Sequence, residues 1–232
     1  MHIPSCESTE LELLGFDEAL DGRSFEGYDP ERWLYVPDHY SDYRYILGTR
    51  GVNPLICIGI NPSTAAPDAL DNTLKSVERI AKGNGYDSFI MFNVYAQRAT
   101  NPDDMDRIPN GFLHAENMKA FSYILSNVGE GHTPAVWAAW GTVIEKRPYL
   151  RDCLCDMLEI GRSYGARWLS VGKRSKKGHP HHPLYLRSDA VTEDFDIDAY
   201  LEVIKWKQSC ALPSVRSGRR RIKMRPWRRL PP

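Results

Sequence analysis

Four short apolar runs, Leu55–Ile60, Phe89–Ala96, Ala135–Gly141 and Trp168–Gly172, constrain this chain more than any other feature. The first is apolar or glycine at every position, so it has no face to offer water and reads as a strand covered on both sides. It stops at Asn61-Pro62, where proline has no N–H and disfavours a helical conformation for the residue before it. The chain must turn there, holding an amide at the carboxyl end of a buried strand. That amide either satisfies a structural turn or faces a ligand.

Between the runs the periodicity changes to that of helices. Asp71 or Asn72 caps a first helix with Leu74, Val77, Ile80 and Ala81 on one face, ending at Gly83-Asn-Gly85. A second covers about 114–127, with Met118, Phe121, Ile124 and Leu125 inward. A third covers about 147–160, with Pro148 in its first turn and Leu150, Leu154, Met157 and Leu158 inward. Each strand-to-strand crossover is long enough for the right-handed parallel connection. The expected fold is a three-layer α/β/α domain around a mostly parallel four-stranded sheet. Tyr43–Leu47 reads as an additional antiparallel edge strand beside the central one, a short helix falls within 9–20, and a closing helix within 194–209. Residues 1–30 read as a variable lead-in, 31–210 as a single α/β domain, and 211–232 as a flexible basic tail.

That tail hides inside a net charge of zero. From Arg216 to Arg229 there are eight basic residues and no acidic one, which leaves the remainder at −8. Such a segment suits a phosphate backbone, or folds back on the acidic body, or is a disordered solubilising end. DNA, RNA or a nucleotide is a candidate partner class; the oligomeric state is left open. No apolar run approaches the roughly 20 residues that span a bilayer, and the first ten residues lack a basic region and apolar core, so a cytoplasmic location without membrane contact is expected. The five cysteines are scattered without zinc spacing, and no metal or other cofactor is expected.

Parallel strands end on one edge, so residues far apart in sequence converge there. The first strand contributes Asn61, Ser63 and Thr64; the second Asn93, Arg98 and Thr100; the third Trp140; and the loop after the fourth His179, His181, His182 and Tyr185. Amides, imidazoles, an aromatic ring and one arginine suit a nitrogenous ring and a phosphate better than an acyl chain. The chain has no Gly-x-Ser-x-Gly elbow, phosphate-binding Gly-x-x-x-x-Gly-Lys-Ser/Thr loop or Gly-x-Gly-x-x-Gly turn. Serine hydrolase, nucleotide-driven motor and dinucleotide oxidoreductase are disfavoured accordingly.

Gly59-Ile-Asn-Pro-Ser-Thr64, Asn93-Val-Tyr-Ala-Gln-Arg-Ala-Thr100, Ala139-Trp-Gly141 and Gly178-His-Pro-His-His-Pro-Leu-Tyr185, in that order, resemble the family catalogued as domain of unknown function 1643. The resemblance covers about residues 33–190. More distantly the layout is similar to the uracil-DNA glycosylase superfamily, whose mismatch-specific members carry Gly-Ile-Asn-Pro at the end of the first core strand. Other members have an asparagine ending the second strand and a late His-Pro-Ser-Pro-Leu loop, which His179-Pro-His-His-Pro-Leu184 approximates with one extra residue. This resemblance implies hydrolysis of an N-glycosidic bond, with Asn61 positioning water, Asn93 reading the base, and His179 or His182 donating to the leaving base. Ser63 stands where many such motifs have glycine, the extra histidine leaves the loop register open, and the iron–sulfur cysteines of some relatives are absent. A non-catalytic nucleic-acid-binding module and a small-molecule hydrolase or transferase are the rival readings.

Overall fold

The computed structural model describes residues 12–24, 27–202 and 204. Two compact units divide the chain, residues 1–197 and 198–232. The first contains α1 (Phe16–Leu20), β1 (Trp33–Val36), β2 (Ile46–Thr49), β3 (Pro54–Gly59), α2 (Asn72–Gly83), β4 (Ser88–Asn93), α3 (Gly111–Ser126), β5 (Ala135–Ala138), α4 (Tyr149–Ser163), β6 (Arg167–Val171) and β7 (Thr192–Asp194). In the second, residues 198–202 are helical. The basic tail, the end of the expected closing helix (203 and 205–209) and the start of the expected N-terminal helix (9–11) lie outside the described residues.

The seven strands form one sheet in the order β1-β2-β4-β3-β5-β6-β7. β3 pairs in parallel with β4 on one side and β5 on the other, and β5 pairs in parallel with β6. These are the four expected core strands. All four run the same way because each crossover carries a helix or an irregular segment long enough to return the chain to the starting edge.

β3 is buried at all six positions, in accord with its unbroken apolar run. Cys57 faces Met91 of β4 and Trp137 of β5, and this row packs with Leu74, Val77, Ile80 and Ala81 of α2 in a single apolar cluster. The opposite face meets α3, where Phe92 lies 5.2 Å from Phe121 between ring centroids. α2 starts at Asp71, whose carboxylate accepts from Leu74 N–H at 2.9 Å; α3 starts at Asn110, which accepts from Leu113 N–H at 3.0 Å.

The edges differ from expectation. The antiparallel strand lies beside β4, not beside β3, because β3 has both edges occupied by β4 and β5. It begins at Ile46, with Tyr43 making only an isolated bridge to Gln97. β1 covers its outer side, and β7 adds a further antiparallel strand to β6 where a helix start is expected at Asp194. β1 is buried at all four positions, so no polar alternation announces it.

Two substitutions separate local from tertiary contributions. Asn110→Ala removes one helix cap and is expected to cost about 1 kcal/mol. A Cβ on Gly48 would stand 2.3 Å from the Phe89 carbonyl oxygen and 2.8 Å from Ile90 Cα. Gly48→Ala therefore forces β2 off β4, with an expected cost of about 1–3 kcal/mol. Urea denaturation of the two variants checks both values.

Candidate functional site

The ends of β3 and β4 stay joined beyond the sheet. Val94 N–H donates to the Gly59 carbonyl and Tyr95 N–H to the Ile60 carbonyl, both at 2.9 Å, and Ala99 N–H donates to the Pro62 carbonyl at 2.9 Å. Asn61 sits within this seam. Its Nδ2 donates to the Ala99 carbonyl at 2.7 Å and to the Pro62 carbonyl at 3.0 Å. Two carbonyl acceptors settle which end of the amide is nitrogen, so Oδ1 is the end left to accept. Ser63 is half-buried and gives its backbone carbonyl to Arg98, while Thr64 and Thr100 are exposed.

Asn93, the last residue of β4, is 0 % exposed, and neither its Oδ1 nor its Nδ2 has a hydrogen-bond partner. Its register partner on β3 is Gly59, where an added Cβ would come within 3.1 Å of Asn93 Oδ1 and 2.5 Å of Met91 Cε. Glycine at 59 thus keeps open the space beside the asparagine amide. Asn117 of α3 anchors the strand end from behind, with Nδ2 donating to the Asn93 carbonyl at 3.0 Å.

The histidines separate in kind. His179 is fully buried, and its Nε2 lies 3.1 Å from Oε1 of Glu145, which also pairs with Lys177. The hydrogen bond from Lys177 holds the Glu145 carboxyl below its usual range against the opposing effect of burial, with His179 adding to it. His179 thereby ties its loop to the turn Gly141–Glu145. His182 is an exposed residue overall, and its Nδ1 accepts from Leu184 N–H at 3.3 Å. The neutral ring consequently carries its proton on Nε2. Desolvation by its surroundings, followed by the neighbouring His181, moves the His182 pKa downward, while Asp71 opposes that shift.

The late loop is seated on the same edge. His182 Cβ lies 3.7 Å from where a Cβ on Gly141 would stand, just after β5. Ser76 Oγ of α2 donates to the Pro183 carbonyl at 2.8 Å, and Arg79 to the Leu186 carbonyl at 3.1 Å. Ala139 N–H donates to the Ile58 carbonyl at 3.0 Å, keeping the end of β5 against the end of β3. The ends of β3 and β4, which carry Asn61 and Asn93, thus share with the His182 loop the edge where the strand order reverses around β3. Ligands bind at such switch points in open α/β sheets.

Two predicted residues lie apart from that group. Trp140 is 0 % exposed and packs edge-on against Trp168 and Phe195, each 6.3 Å away between ring centroids, leaving no face for a base. Tyr185 is 92 % exposed and has a positive φ of 66°. Arg98 is buried and pairs with neither Asp103 nor Asp104. It donates to the Ser63 and Ala65 carbonyls and to Tyr35 Oη, and it stacks on Tyr40 at 4.1 Å from the ring centroid. Beside it lies Arg44, a buried residue that the sequence pattern does not single out, although an arginine between Tyr43 and Tyr45 in a strand is itself unusual. Asp71, Ser76 and Arg79 were likewise hidden in an ordinary amphipathic helix pattern.

One family model, described as Protein of unknown function (DUF1643), matches residues 44–184. Neither a curated protein nor a solved structure matches the chain. Among the described residues no three histidine, cysteine, aspartate or glutamate side chains are grouped to hold a metal ion, and no helix is long and apolar enough to cross a membrane.

His182 supplies a test of the site's electrostatics. Its imidazole is expected to titrate below 6.5 in an NMR titration of the ring protons. Asp71→Asn keeps the helix cap but removes the charge that favours imidazolium, and should lower the midpoint further. A folded-state pKa below the unfolded value means that the His182 contribution to stability is complete above about 6.5 and declines as pH falls toward the folded midpoint.

Proposed function

The chain belongs to the DUF1643 family of proteins of unknown function, and on that premise we propose that its strand-end crevice reads a nucleobase of a nucleotide or nucleic-acid end and hydrolyses the N-glycosidic bond. The observation that carries the reading is Asn93. A fully buried amide with both atoms unpartnered is costly, and native structures keep such groups where a ligand or ordered water completes them. An amide offers one donor and one acceptor edge, the pattern that base edges complement.

The other residues suit the remaining roles. Cleavage of the bond to a base develops positive charge on the sugar and negative charge on the base. Asn61 Oδ1, oriented by the two bonds at Nδ2, accepts from the attacking water. The water oxygen bonds to the sugar carbon, the electron pair of the broken C–N bond leaves with the base, and the water's proton balances the departing anion. His182, neutral with its proton at Nε2, donates a hydrogen bond to that base. His179 is committed to Glu145, which favours His182 for this role. The core-strand order, second-first-third-fourth with helices on both faces, supports a uracil-DNA-glycosylase-like fold. The basic segment Arg216–Arg229 supplies positive charge for a phosphate backbone.

Purified protein incubated with oligonucleotides and nucleosides bearing damaged or mismatched bases is expected to release free base and leave an abasic sugar. Asn61→Ala should slow release about 100-fold with little change in binding, as expected for loss of a group that acts on the attacking water. Asn93→Ala should weaken binding about tenfold while costing little stability, since it breaks no side-chain hydrogen bond. Binding without release, unaltered by Asn61→Ala, would leave a non-catalytic nucleic-acid-binding module; no binding at low salt removes both readings.

A further inference from the structure

Arg44 and Arg98 are 1 % and 3 % exposed, and both donate through Nη1 to one carbonyl oxygen, that of Ala65, at 3.0 and 3.4 Å. Two guanidinium groups thus share one acceptor in the interior. Neither has a carboxylate within 4 Å among the described residues. The Nε of each is buried without a partner, and the Ala65 carbonyl is the only described acceptor for the Arg44 side chain. Burial, followed by the charge of Arg98, pushes the Arg44 pKa down to about 9; Tyr35, Asp71 and Tyr40 oppose that shift. A buried charge needs a counter-charge or a full set of hydrogen bonds, and a like charge beside it increases the cost.

We infer that Arg44 and Arg98 form an oxyanion pocket that takes a phosphoryl group, their unused N–H donors facing its oxygens. Planar guanidinium donors match phosphate geometry, and two adjacent ones match its charge at neutral pH. The surroundings hold the donors in place. Tyr35 Oη accepts from Arg98 Nη2 at 3.0 Å, and the Tyr40 ring lies under the same guanidinium. Tyr35 and Tyr40 also line a cavity of about 220 Å³ with Tyr28, Asp38 and His39, so open space adjoins the groups that hold Arg98. The Asp38 carboxylate on that wall is engaged by Ser24 N–H and by His39.

The pocket is joined to the crevice through the segment that begins at Asn61 and reaches Ala65. Asp71 exerts its charge on both Arg44 and His182. Assigning the phosphoryl group to the same ligand as the base rests on the reading of Asn93 above, and makes that ligand a nucleotide or nucleic acid and not a free nucleoside. The anion pocket itself stands without it.

Calorimetric titration and thermal unfolding of the full chain, at constant ionic strength set by chloride, test the assignment with inorganic phosphate, nucleosides and nucleoside monophosphates. Saturable stabilisation by phosphate is expected. Arg44→Met, which keeps bulk and removes charge, should weaken phosphate binding about tenfold or more, while Arg44→Lys should retain part of it. Phosphate acting no differently from chloride, or unaltered binding by Arg44→Met, overturns the pocket. If Arg44→Met does not fold, full phosphate affinity in Arg44→Lys and Arg98→Lys overturns it equally. Nucleosides that bind as tightly as their monophosphates overturn the phosphoryl assignment and leave base reading intact. Phosphate binding without any nucleoside or nucleotide preference removes base reading and leaves the pocket.

Discussion

The parallel pairing of β3 with β4 on one side and β5 on the other is the constraint from which the rest of the structure follows. A strand with two parallel neighbours must be reached from each by a crossover, and each crossover here places a helix across a face of the sheet. That burial removes both faces of Leu55–Gly59 from water and makes the strand apolar throughout. It also sends the carboxyl ends of β3, β4, β5 and β6 to one edge. The position of every polar residue considered above depends on that common direction.

At this edge the protein bears costs that the core does not need. The Asn93 amide is buried without partners, and Arg44 and Arg98 are buried side by side with no carboxylate in contact among the described residues. Burying unpaired polar groups opposes folding, so the apolar cluster beneath them, from Trp33 through Cys57 to Val171, must offset it. Neighbouring groups with ordinary structural roles make at least one side-chain hydrogen bond by contrast. Asn117 bonds to the Asn93 carbonyl through Nδ2, His179 reaches Glu145, and Ser76 holds the Pro183 carbonyl. Unpartnered buried atoms also occur elsewhere, at Trp137, His114 and Arg151, but among the described residues Asn93 is the one side chain with both polar atoms in that state.

The core strands and the three helices of the crossovers were legible in the sequence because their signals are local. Leu74, Val77, Ile80 and Ala81 fall on one helical face, and all four are buried against the sheet. Met118 is the exception on α3, only partly buried while Leu113, Asn117 and Ala120 take the inner positions. β1 was not legible because all four residues are covered, which erases alternation. β7 was not legible because three residues, Thr192, Glu193 and Asp194, carry no apolar signal and are recruited by β6 alone.

By itself the sequence determined that four core strands would be buried and end together, and that Asn61, Asn93 and the histidine loop would stand near those ends. Those properties depend on hydrophobic period and on the direction of connections, both of which are written along the chain. Only the tertiary structure decided which polar groups remain unspent. It buried His179 against Glu145 and left His182 open, placed Trp140 in the core, and set Arg44 against Arg98. Hydrogen-bond satisfaction is a sum over neighbours contributed by distant segments. No single segment therefore carries that information.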